Sequence, residues 1–303
     1  MTIMKDKFMI LLAALTLMMA FTACGEKGED DPDWKKKDVI FTTELMNHVY
    51  DASADKVYEL TTTTNKLVFH RVNNTADLTL VPGEAAYPGL TLQLAGLKLE
   101  LDGDTGRYGY KSATTSNNRV TNLVLNVDFN EQSLDVHYVV DGKVTVTSQM
   151  NQVFYLANQS ILSYKNGTDS IDKSSIYQFD IDTKSMTATM HLGPLANTKL
   201  LLKFETIIAR NMPITVTKEG ITIECEKPTV VSEYRRRDSS TGSPTVVDAL
   251  DNSGYQKFPI ADFKAKLMFM EGKHETSFMI GRDDEGTKWS VKGTGQTYIE
   301  KAF

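Results

Sequence analysis

Tyr108 and Tyr110 stand two residues apart in Arg107-Tyr-Gly-Tyr-Lys111, so in a strand both rings project from one side. Paired rings offer apolar area with a polar tip, which suits both contact with a sugar and cross-strand packing. They follow Asp102-Gly-Asp-Thr-Gly106. That Asp-x-Asp-x-Gly start matches the opening of a calcium loop, but the glutamate that completes the coordination shell at the twelfth place is missing, so it is read as a hairpin turn. The histidines are scattered, and no pair has the spacing of a metal-binding helix. His137 and His191 fall between apolar neighbours in alternating runs, which turns both toward solvent. Cys225 is in phase with Ile221 and Ile223, the place of an inward, inert thiol. Neither a Gly-x-Ser-x-Gly elbow nor a Gly-x-x-x-x-Gly-Lys-Ser/Thr cradle occurs. The sequence thus offers no catalytic residue, no metal ligand set and no cofactor.

The chain that must position these residues has 303 of them, 41% hydrophobic and 24% charged. That composition is close to the globular average. A net charge of −6 speaks against a nucleic-acid partner, and two cysteines cannot build a disulfide scaffold. Met1 to Lys7 is short and basic, and Phe8 to Ala23 is apolar throughout. This is the anatomy of a secretory signal, too short for the ~20 residues of a spanning helix. Cys24 follows at once. Residues 1–23 are therefore read as a signal peptide, and 24–37, acidic then basic around Pro32, as a flexible tether.

From Val39 onward the pattern alternates. Leu123, Leu125, Val127 and Phe129 share one face, Leu134, Val136, Tyr138 and Val140 the next, and Asp141-Gly142 is a strong hairpin signal. The same order of strand, glycine turn, strand, loop and three-strand meander returns around Ile214, Ile223, Phe263, Phe269, Phe278 and Trp289. It predicts an all-β protein of two tandem antiparallel units, residues 38–150 and 151–303, each a sandwich or a lipocalin-like barrel. Phe41 to Asp55 has room for a short N-terminal helix. Gly293-Thr-Gly295 reads as turn chemistry, and Arg235 to Pro244 as a long polar loop whose three arginines are solvated, meet an anionic surface or invite proteolysis.

Cys24 after Thr22-Ala23 resembles the bacterial lipobox, although Phe21 replaces its usual aliphatic residue. The resemblance implies a diacylated cysteine, so no partner remains for a disulfide with Cys225. The acidic run that follows resembles the surface-export signal of Bacteroidetes-type lipoproteins, and Asp169-Ser170-Ile171 resembles their O-glycan acceptor, marking Ser170. With the paired β units, the chain is similar to the uncharacterised two-domain, all-β envelope lipoproteins of Bacteroidetes, which supply no catalytic residues to carry over. The resemblance implies a non-enzymatic protein on the outer membrane, periplasmic or surface-exposed. Its partners would be the membrane, through the lipid, and an unknown ligand or envelope protein. Two other readings fit the same layout: a fimbrillin-like adhesin or structural subunit, and a lipocalin-like carrier of an apolar ligand.

Overall fold

Alternation of apolar and polar residues dictates strands, and strands are what form. The computed structural model describes residues 37–58, 60–164, 168–197, 202–236, 260–282 and 287–297. The first half carries β1 (Val39–Asp51), β2 (Lys56–Val57), β3 (Thr61–His70), β4 (Thr75–Leu80), β5 (Leu92–Lys98), β6 (Glu100–Leu101), β7 (Tyr108–Thr114), β8 (Val120–Asp128), β9 (Ser133–Val140) and β10 (Val144–Gln149). The second carries β11 (Gln152–Tyr164), β12 (Thr168–Asp172), β13 (Ile176–Asp182), β14 (Thr187–Gly193), β15 (Leu195–Asn197), β16 (Leu202–Thr217), β17 (Gly220–Cys225), β18 (Thr229–Arg236), β19 (Ile260–Met268), β20 (Lys273–Arg282) and β21 (Thr287–Gln296). The fold is all-β, as the alternation predicts.

The short helix expected within Phe41 to Asp55 is instead β1. Phe41, Leu45 and Val49 are spaced by four, an interval that suits both a helical stripe and one face of a strand. β-Branched Val39, Ile40, Thr42 and Thr43 tip the balance, and pairing with β3 and β10 on either side completes it.

Each half makes one antiparallel sheet, and each sheet curls on itself; the choice between sandwich and barrel resolves to barrel. In the second, the path β11-β13-β14-β16-β17-β19-β20-β21 returns to its start, because β21 pairs with β11 from Leu156–Gln296 to Tyr164–Trp289. In the first, β10 closes on β1, but the order β5-β4-β3-β1-β10-β9-β8-β7-β6 has ends that meet differently. β5 pairs with β4, the chain passes through buried Leu99, and β6 then pairs with β7 through two residues, Glu100–Gly109 and Leu101–Tyr108. Farther along the seam, Ser116 Oγ receives the Ala95 N–H (3.2 Å) and Asn117 Nδ2 donates to the Gln93 carbonyl (3.2 Å). Side chains stand there in place of a ladder.

Two clusters of buried side chains fill the barrels. Leu99, Leu123, Leu125, Val127, Val136 and Tyr138 belong to the first, with Phe129 half-buried against it. Ile214, Ile221, Ile223, Phe263, Leu267, Phe269 and Trp289 belong to the second. Each fully buried Leu or Phe is worth about 1.5–3 kcal/mol. Gly293 and Gly295 are not turn residues; they lie within β21, facing the second interior. A Cβ on Gly293 would strike the Tyr177 hydroxyl, and one on Gly295 the Leu156 carbonyl and the His274 ring. The strand is thinned there so that Tyr177 and His274, with ring centroids 4.4 Å apart, fit inside.

The outer wall of the first barrel covers one end of the second. Met46 and Leu60 join the second core. The Thr62 and Thr183 hydroxyls meet at 2.9 Å, His48 Nε2 lies 2.6 Å from the Thr217 carbonyl, and the His48 ring stands edge-on to Phe269.

Candidate functional site

The seam of the first barrel holds a cavity of about 430 Å³. Its floor is β7, where the period of two brings Tyr108 and Tyr110 to the same side, opposite Val127 and Leu125 of β8. Leu101, 58% exposed, stands across the short ladder from Tyr108, and Lys98, Lys111 and Arg107 reach the rim. The two tyrosines are not equivalent. The Tyr108 ring packs among Phe69 (5.1 Å) and Phe129 (5.2 Å), which themselves stack at 4.6 Å, so it is half core and half wall. Tyr110 lies one pleat farther along the seam, partly buried against the same core.

Charge at the rim is already organised. Arg107 Nε lies 3.4 Å from Asp128 Oδ2. Asp102, at the turn into β7, accepts the Asp104 N–H at 2.9 Å and the Thr105 hydroxyl at 2.9 Å. These bonds, the backbone one first, hold its carboxyl below the usual carboxylate range. The Asp102 to Gly106 segment is thus a hairpin turn, with Gly106 at φ 71°. The result is a slot lined by both tyrosines, half-buried against the first core, and by Arg107, Gly109, Lys111 and Asn126 from the alternate positions of β7 and β8, a mixture of aromatic and charged groups that suits a ligand with apolar and polar faces.

The other candidate residues lie apart from this slot. Cys24 and the rest of the signal and tether fall outside the described residues, except Lys37. Ser170 is on β12, in register with Leu162 of β11. Cys225 ends β17 as a free thiol packed against the second core, in the phase expected. Arg235 and Arg236 are not in a loop: β18 runs through them, pairing with Lys203 and Leu202 of β16, because that long strand offers an unfilled edge. Arg237 and the segment to Pro244 lie outside the described residues. His191 is partly exposed and reaches Asp180 at 3.0 Å. His137 departs from expectation. It does point outward, but its ring is tucked against Thr147 Oγ1 at 3.1 Å, and burial pushes its pKa down.

Asp102 stands out in the sequence as a turn residue, but the sequence does not mark Leu101 or Lys98 as neighbours of the two tyrosines. An exposed leucine two residues into a strand before an Asp-Gly turn is the only local signal for them.

No family model matches the chain, and no curated protein matches it. Among solved structures, a protein assigned to the outer membrane of Bacteroides fragilis is 11% identical, over 86% of this chain and 98% of its own, with a TM-score of 0.34. Transferrin binding protein B of Neisseria meningitidis is 8% identical over 86% of this chain and 77% of its own, TM-score 0.24. A DUF3598-family protein of unknown function from Nostoc punctiforme is 10% identical over 84% and 95%, TM-score 0.23. Scores this low identify neither a shared fold nor a shared function.

Proposed function

We propose that this chain is an exported, lipid-anchored, non-enzymatic binding module that holds a saccharide at the seam of its first barrel. The observation that carries the reading is the single cavity shared by Tyr108 and Tyr110, set where the barrel is closed by two residue pairs alone. The charged groups at its rim favour binding over catalysis, since Arg107 is engaged by Asp128 and Asp102 by its own turn. The interior of the second barrel is full around Tyr177 and His274, which argues against a hollow carrier there. Anchoring rests on Cys24 and the apolar run before it. Cys24→Ser is expected to release the protein from membranes or leave it as an uncleaved precursor, checked by fractionation.

Titration of the full chain against an oligosaccharide array tests the ligand class. Tyr110→Leu, which keeps apolar volume but removes ring and hydroxyl, is expected to weaken binding at least about tenfold without unfolding the protein. Saturable binding that Tyr110→Leu leaves unchanged would exclude this site.

A further inference from the structure

A second concavity, of about 340 Å³, opens where the two barrels meet. Its origin is a lateral row on the outer wall of the first barrel. Strand register sets Asn126, Asp135, Gln149, Met46 and Thr62 side by side across β8, β9, β10, β1 and β3, Gln149 continuing the β9–β10 pairing by one place. At the Met46 and Thr62 end the row is sealed against the second barrel. At Gln149 and Asp135 it is not, and Thr297, Val153 and Phe154 of the second barrel form the opposite wall.

Gln149, Thr297 and Asp135 line this space, and two of them carry a buried atom without a partner. Gln149, 5% exposed, has a buried Nε2 with no acceptor, and Thr297, 8% exposed, a buried hydroxyl with none either. The Asp135 side chain is half-buried at the cleft, and loss of water pushes its pKa up to about 7 against the lowering pull of the Arg107 charge. Buried donors and acceptors left unmade are costly, so folds rarely keep them in one place without a use. Across from them Phe154 is 41% exposed, a large apolar ring at the mouth of a polar cleft.

We propose that this inter-barrel cleft is a binding site for a small neutral polyhydroxylated molecule, a monosaccharide unit, held by Gln149, Thr297 and Asp135 against Phe154. The chemistry narrows the class. The Gln149 amide needs an acceptor and the Asp135 carboxyl a donor, and the threonine hydroxyl takes either. Adjacent hydroxyls supply both from one ligand, and the C–H face of the sugar covers the Phe154 ring. The lining sets Arg107 against Asp135 and Glu131, so it presents no single sign of charge to a simple anion, and a simple cation would leave the Gln149 donor unmet. The volume is that of a small-molecule site.

The site shares Arg107 with the Tyr108–Tyr110 slot, and the test separates the two by working in the Tyr110→Leu background. The full chain carrying Tyr110→Leu is titrated with glucose, galactose, mannose and N-acetylglucosamine, each alone, by calorimetry and thermal melting. At least one is expected to bind saturably and raise Tm. Adding Gln149→Leu or Thr297→Val should weaken that binding at least about tenfold, while the melting temperature without sugar holds or rises, because each change removes an unpaired buried atom. Asp135→Asn, which keeps a carbonyl acceptor, should weaken it less. Saturable binding by none of the four sugars would overturn the proposal. So would binding indifferent to Gln149→Leu, or a Gln149→Leu protein that melts well below its parent.

Discussion

The two barrels close in different ways. The second is sealed by a continuous β11–β21 ladder, with glycines in β21 making space for the rings inside. The first is sealed by two residue pairs between β6 and β7, then by the side chains of Ser116 and Asn117 against β5. A backbone ladder leaves no gap in a wall; a seam held by side chains does, and the slot of Tyr108 and Tyr110 sits at it. The contrast teaches that the seam slot and the inter-barrel cleft arise where strands fail to pair and where two walls meet, whereas a third space, of about 480 Å³, lies over the paired strands β17, β19, β20 and β21 of the second barrel.

If the barrels are separate cores, the sharpest break comes from truncation in one of them. Phe269→Ala is expected to cost about 3–5 kcal/mol, read from urea unfolding. Protection from hydrogen exchange should fall first in β16 to β21 while β3, β4 and β8 remain protected. Because His48 packs edge-on against Phe269 and Met46 lies in the second core, the outer part of β1 should loosen with the second barrel. Uniform loss of protection through both sheets would mean one cooperative unit.

A smaller effect distinguishes the two closures. Gly293→Ala puts a methyl group into Tyr177 and should cost about 1–3 kcal/mol as overpacking. Ser116→Ala removes a seam bond worth about 0.5–1.5 kcal/mol, and its effect should be confined to faster exchange of the Ala95 amide. Equal costs for the two substitutions would erase the distinction between a packed wall and a laced one.

Much of this was legible from the residues. The runs Leu123 to Phe129 and Leu134 to Val140 announce β8 and β9, and Asp141-Gly142 announces the turn, with both residues at positive φ. The expected core residues are buried apart from half-buried Phe129. What escaped were features set by neighbours distant in sequence. Gly293 and Gly295 look like turn residues until Tyr177 and His274 are placed beside them. His137 and Gln149 occupy outward positions that alternation assigns to solvent, yet Gln149 faces a cleft bounded by the second barrel. Period-two patterning reports which face of a strand points inward and is silent on what covers the outward one. The seam slot was half legible: the Tyr108–Tyr110 spacing is local, but the gap beside it depends on β5 and β7 failing to pair.

The finest test of the comparison is titration, because Asp135 on the first barrel and His274 in the second shift in opposite senses. His274 is buried in the second, and desolvation lowers its pKa from 6.5 to about 3. Between those values the unfolded chain binds a proton that the folded chain refuses. The associated stability is fully present above pH 6.5 and is lost as pH falls toward 3, by up to about 1.4 kcal/mol per pH unit. His48 and His137, lowered chiefly by burial, act in the same sense. Asp135 does the reverse. Its pKa rises from 3.8 to about 7, so the folded chain holds the proton longer, and stability falls as pH climbs between those values with the same limiting slope. From about pH 4 to 6.5 the Asp135 and His274 slopes oppose, and the parent protein should show the smallest dependence of all. Asp135→Asn should therefore steepen the rise of stability with pH, and His274→Gln should flatten or invert it, measured as urea midpoints at successive pH values. If Asp135→Asn tracks its parent, the carboxyl is not enclosed and the outer wall of the first barrel is open to water at the junction. If His274→Gln tracks its parent instead, the interior around Tyr177 admits water and the two barrels are less different than their ladders suggest.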